Sequence, residues 1–262
     1  VEPKNDRFGV LLKLAYDGTA FKGWAAQRDE RTVAETLQGA IFALDPRASG
    51  ARGTSRTDAG VHAESQMVAF DASLDIPPRG WVLALNQHLP EDVCVRQARR
   101  IPTEYNPRFF SRTKRYRYRL LLDRVRHPLE RTQAWRVGWK LDLDLLRREA
   151  SLIEGTHDFA AFRSASDPRI ETVRTMTNVI VEPEGPLLTI AIEGTAFLHN
   201  MIRILVGTLV DVARGHLPEG TIAEAIGARD RRRAGITAPG LGLTLEAIDL
   251  ALPAEAGEPW PR

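Results

Sequence analysis

The chain is 262 residues long, 43% hydrophobic and 27% charged, with a formal net charge of +2. That is a globular composition with length for one large or two modest domains, which excludes a disordered chain. No apolar run approaches the roughly 20 residues that span a bilayer, and a lone cysteine, Cys94, rules out a disulfide framework and favours a reducing cytoplasm.

In chain order, VEPKNDRFGV opens without an apolar export segment. FGVLLKLAY puts Val10, Leu12 and Leu14 on one face and is predicted as a strand. TVAETLQGAIFAL begins with a capping box, Thr32 and Glu35, and continues with Val33, Leu37, Ile41 and Leu44 at helical spacing. A short strand precedes residues 54–64 and SQMVAF follows them as another. RGWVLALNQHL reads as a helix, and DVCVRQA as a strand in which Cys94 is a small buried hydrophobe. The order βαββαβ is the ferredoxin-like plan. The second half repeats it. KRYRYRLLL is a strand, LDLLRREASLI a helix, VRTMTNVIVE and LLTIAIEG a strand pair, AFLHNMIRILVGTLVDVA a long helix and LTLEAIDL the final strand. The predicted fold is α+β, with ferredoxin-like halves at residues 1–106 and 107–252. A loose tail follows at 253–262, rich in Pro, Ala, Glu and Gly.

The charge is unevenly spread. Residues 96–136 hold 13 Lys and Arg against three acids, Glu104, Asp123 and Glu130, a local charge of +10 that leaves −8 for the remainder. Such segregation points to a polyanion. The run is interleaved with Tyr105, Phe109, Phe110, Tyr116 and Tyr118 and has no amphipathic helical pattern, so it favours RNA over a membrane. Arg108, Arg112, Lys114 and Arg115 are its candidate phosphate contacts.

Metal and nucleotide motifs are missing. The six histidines are scattered, no Cys pair or HExxH accompanies them, and THDF at His157 and Asp158 is the nearest approach to a ligand set. GLGLT reads as a structural turn. TSRTDAGVHAE, residues 54–64, gathers Arg56, Asp58 and His62 in one short loop, as either an ordinary Asp-containing turn or a reaction centre. On the KRYRYRLLL strand Tyr116 and Tyr118 share a face. Tyr118 is expected in the core, and Tyr116 is a candidate stacking platform. Arg203 is a lone cation in an apolar helix, facing either solvent or a carboxylate such as Asp58.

AYDGTAFKGWAAQ, SRTDAGVHA, RFFSRTKRYRYRL, GTHDFAAF, FLHNMIRILVGTL and AGITAPGLGLTL stand in the order found in tRNA pseudouridine synthases of the TruA kind, and the chain resembles that family from about Phe8 to Leu250. The resemblance implies isomerisation of uridine to pseudouridine in the anticodon stem-loop of tRNA, at positions 38, 39 and 40. It also implies a homodimer, no metal or organic cofactor, and an extended, mostly antiparallel central sheet with helices on one face. By the same resemblance Asp58 is the catalytic aspartate and Arg203 the arginine that pairs with it. Tyr116 contacts the base, Leu243 lines the uracil pocket, and Arg56 helps hold the flipped nucleotide. Four places depart from the pattern: Ser55 replaces a usual Gly, Ala25 a Gln and Thr244 an aromatic, while YNPRF replaces FHARF and keeps Arg108. A non-catalytic tandem RNA-binding module and a metal-dependent RNA hydrolase using Asp58 and His62 are the rival readings.

Overall fold

The computed structural model describes residues 7–261. The opening residues 1–6, part of the stretch without an export segment, lie outside the described residues. The chain divides into two compact units. One runs up to Arg112 and resumes at Leu245, and the other is Thr113–Thr244. The units part inside strands, whereas the division read from the sequence lies at residue 106.

The first unit contains β1 (Phe8–Tyr16), α1 (Val33–Leu44), β2 (Arg52–Gly53), β3 (His62–Ala72), α2 (Pro78–His88) and β4 (Val93–Ile101). Their sheet order is β4-β1-β3 with β2 on β3, and every one of these pairs is antiparallel, as the βαββαβ plan requires. Because β1 is central it is buried on both faces, not one. Val10, Leu12 and Leu14 face one layer, while Leu11 joins Ala69, Ile101 and Tyr105 in a second cluster. Each fully buried leucine stabilises the unit by about 1.5–3 kcal/mol. The capping box of α1 is not formed as expected. The Thr32 hydroxyl donates to the Glu35 carboxylate at 2.5 Å instead of accepting a backbone N–H. Cys94 is only half-buried.

The tail is not loose. Ala98 and Trp260 exchange backbone hydrogen bonds of 2.7 and 2.8 Å, and Gly257 N–H donates to Arg100 C=O at 2.9 Å. β4 is an edge strand with an unpaired row of backbone groups, and the tail occupies it. Composition alone cannot register such pairing.

The second unit takes most of β5 (Ser111–Leu121), then β6 (Trp135–Arg136), α3 (Leu143–Ser151), β7 (Gly155–Asp158), β8 (Val173–Glu184), β9 (Leu187–Gly194), α4 (Met201–Ala213) and α5 (Thr221–Ala228). The order β5-β9-β8-β7 is antiparallel, and β6 adds to β5 in parallel. The final strand β10 (Leu243–Leu250) passes into the first unit at Leu245, where it lies beside β3. The fold is α+β and mostly antiparallel, as the sequence implies.

Two helices of the second unit differ from expectation. α4 starts at Met201, so AFLHN is not helical. Asn200 is left-handed (φ 61°), and Met201 N–H closes a turn on Leu198 C=O. α5 has no counterpart in the sequence reading, and its N-terminal N–H groups are capped from α3. Buried Glu149 accepts from Gly220 and Ile222 at 2.5 and 3.0 Å.

Candidate active site

In the first unit the RTDAG loop joins β2 to β3 and is held along its length. Thr54 donates to Met67 C=O through both its N–H and its hydroxyl, each at 2.9 Å. Gln66, wholly buried, accepts from Ser55 N–H at 3.2 Å and donates to Ser55 C=O at 2.6 Å. Thr57 C=O accepts Trp24 N–H at 3.0 Å, and its hydroxyl shares a 2.8 Å hydrogen bond with Tyr16. Val61 N–H closes the turn on Asp58 C=O at 3.2 Å, with Gly60 at φ +74°. Only glycine takes that backbone geometry without strain. Gly23 is needed on two counts, since its φ is +98° and a Cβ there would lie 2.6 Å from Thr57 O.

The AYDGTAFKGW segment is thus a grip on the loop. It grips at His62 as well, where Gly18 N–H donates to Nδ1 at 3.1 Å. Asp17 Oδ1 stands equally close to Nδ1, at 3.1 Å. His62 is buried at this junction, between the loop and the AYDGTAFKGW segment. Within this frame Asp58 is half-buried and the Arg56 side chain is exposed. Ser55 has no left-handed backbone, so the departure from glycine adds no strain there.

In the second unit α4 is buried at every position except Arg203. Arg203 Nε donates to Ala238 C=O at 2.7 Å and its Nη1 to Asn200 Oδ1 at 2.6 Å, while Ala238 N–H returns a 3.0 Å bond to Arg203 C=O. These bonds aim the guanidinium and show that it does not simply face solvent. Tyr116 is not an exposed platform. It is 7% exposed, with Phe197 edge-on at 5.1 Å, because β5 is an inner strand and Phe197 covers the ring. Tyr118 is fully buried and donates to Pro239 C=O at 2.7 Å. Burial pushes its phenol up, against the opposing charge of Arg203, so it is a fixed donor. Leu243 is buried at the start of β10. THDF serves the fold: His157 Nε2 lies 2.8 Å from Glu154 C=O, and Asp158 binds Ala160 N–H, the Thr172 hydroxyl and Arg229. Among the described residues no three His, Cys, Asp or Glu side chains form a metal-sized group.

A family model described as tRNA pseudouridine synthase matches residues 14–109 and 150–249. The chain belongs to the tRNA pseudouridine synthase family. Curated relatives named tRNA pseudouridine synthase A are 40% identical. One from a Geobacter species aligns over 91% of this chain and 97% of its own, and one from Myxococcus xanthus over 91% of each. One from Halalkalibacterium halodurans aligns over 89% of each.

In this pseudouridine synthase the candidate phosphate contacts lie on the surface or close to it. Arg108 and Arg112 are exposed, and Lys114 and Arg115 are half-buried. Arg115 Nε stands 3.8 Å from Glu193, and Arg112 Nη1 stands 4.0 Å from Asp249. Of the interleaved aromatics, Phe109 and Phe110 are exposed and the three tyrosines are buried. The sequence reading missed Tyr16, Thr57 and Gln66 as supports of the loop. The one available signal was Gln66, a polar residue between buried neighbours on a strand. No helix among the described residues is long and apolar enough to cross a membrane.

Proposed function

We propose that this synthase acts on tRNA at uridines 38, 39 and 40 of the anticodon stem-loop, with Asp58 as its catalytic carboxylate. The rigid seating of the RTDAG loop carries this reading: a carboxylate held by its neighbours on both sides meets the reacting atoms without first being ordered. The reaction breaks the C1′–N1 bond, turns the detached uracil and joins C5 to C1′, after which the C5 proton leaves. No oxidation occurs and no group is lost. Asp58 supplies the nucleophile or base. Arg203 is the arginine that pairs with it, Tyr116 borders the base and Leu243 forms an apolar wall. A stem uridine must leave its stack to react, and Arg56 holds the extruded nucleotide. Arg108, Arg112, Lys114 and Arg115 contact phosphates and position the RNA without reading its sequence. The working form is a cytoplasmic homodimer. Tritium release from C5-labelled uridine in tRNA, with a position-resolved pseudouridine map, tests the reading. Release confined to those three positions is expected, whereas tight binding without release would make the chain an RNA-binding module.

A further inference from the structure

The second unit has a cavity of about 510 Å³ lined by Arg124, Gly138, Trp139, Lys140, Arg214 and His216, with Gly215. It sits past the last turn of α4. Arg214 is about 16 Å along the helix from Arg203, at about 1.5 Å per residue. No acid lines it. A fourth cation stands beside it, because Arg136 Nη1 donates to Arg124 C=O at 3.0 Å.

Its central feature is a braced aromatic ring. Arg214 lies over Trp139, 4.2 Å from the ring centroid. Buried Asp211 holds that guanidinium at 2.7 and 2.9 Å. The segment carrying Trp139 and Lys140 is tied to the helix end by Asp142 N–H to Ala213 C=O, 2.8 Å. Even so, Trp139 is 48% exposed. A tryptophan needed only for the core would be covered, and this one is fixed and left open.

The end of a helix ordinarily repels anions through its free carbonyls. Here the carbonyls of Val210, Asp211, Val212 and Ala213 all accept backbone N–H groups. Asp211 neutralises Arg214 from below, so the net positive charge of the cavity comes from Arg124, Arg136 and Lys140. Phosphate-binding cations around an open tryptophan suit a ligand that is both anionic and aromatic.

We infer that this cavity is a second RNA-contact site. It takes an unstacked nucleotide of a single-stranded segment, with the base on Trp139 and the flanking phosphates on Arg124 and Lys140. The inference rests on the chain being a tRNA-binding synthase, but it concerns a surface that the proposed chemistry does not use.

The test uses the full chain with a labelled single-stranded RNA hexamer and with whole tRNA, followed by anisotropy. Trp139→Ala should weaken hexamer binding about tenfold or more, and Trp139→Phe should restore most of it. Lys140→Glu should weaken binding and lower its salt dependence, and excess inorganic phosphate should not displace the hexamer. Hexamer and tRNA affinities unchanged in folded Trp139→Ala and Lys140→Glu would overturn the inference. Saturation by AMP alone, with tRNA affinity indifferent to both variants, would overturn it in favour of a free nucleotide. Hexamer binding that depends on Trp139, in a protein that makes no pseudouridine, would sink the functional reading and leave this one standing.

Discussion

Asp167 accepts the backbone N–H of His199 at 2.8 Å across 32 residues of sequence. Arg169 grips the same carboxylate at 2.6–3.0 Å and donates to Phe197 C=O at 2.8 Å. One buried acid therefore holds the turn that brings Phe197 against Tyr116 and starts α4 just before Arg203.

Burial pushes the Asp167 carboxyl up, but the Arg169 guanidinium and the N–H groups of His199 and Arg169 outweigh it and hold the group well below the usual carboxylate range. Its folded value lies below its unfolded one. The stabilisation is thus fully present above about pH 4 and is lost as pH falls below that. Asp167→Asn should cost about 1–3 kcal/mol at pH 7, and the gap to wild type should narrow toward pH 3. Thermal melts at the two pH values check this; a gap independent of pH would show that the charge is not what matters.

Asp58→Asn keeps the turn and removes the carboxylate. It should fold, bind tRNA with near-native affinity and form no detectable pseudouridine. Arg203→Gln should be severely impaired, and the double variant little worse than Asp58→Asn alone, since groups acting as a unit are not additive. Single-turnover tritium release decides it, and near-normal turnover by Asp58→Asn removes the catalytic assignment.

Gln66→Leu leaves the buried backbone groups of Ser55 without their side-chain partner. kcat should fall, by up to about 100-fold if the loop shifts by an ångström, while the tRNA Kd stays within about twofold. Equal losses in kcat and binding would make Gln66 a general stabiliser and not a positioning residue.

Arg112, Lys114 and Arg115 replaced together by Glu should weaken all tRNAs alike. The slope of log K against log salt should fall by up to about 0.9 for each phosphate no longer neutralised. Filter-binding titrations at several salt concentrations measure both quantities; unchanged affinity would place the polyanion elsewhere.

Glu149→Ala exposes two uncapped N–H groups at the start of α5. It should destabilise the protein by about 1–3 kcal/mol, with Glu149→Gln intermediate because one acceptor remains. Urea melts report the order of the three proteins, and equal stability would show that α5 does not depend on this cap.

The sequence by itself determined the elements whose signals are local. The period-two alternation of β5 and β9, the helical spacing of α1 and the apolar length of α4 each arise from neighbouring residues, and the motifs around Asp58, Tyr116 and Arg203 carried the family resemblance. Tertiary structure alone decided the rest. It put Glu149 under α5, bent the chain through left-handed Asn200 before α4, laid the tail along β4, covered Tyr116 with Phe197, and closed Tyr16, Trp24 and Gln66 around the RTDAG loop. Most of these contacts join residues far apart in the chain. Such hydrogen bonds and ring contacts leave no period in the sequence, because they exist only once the strands have paired and the loops have met.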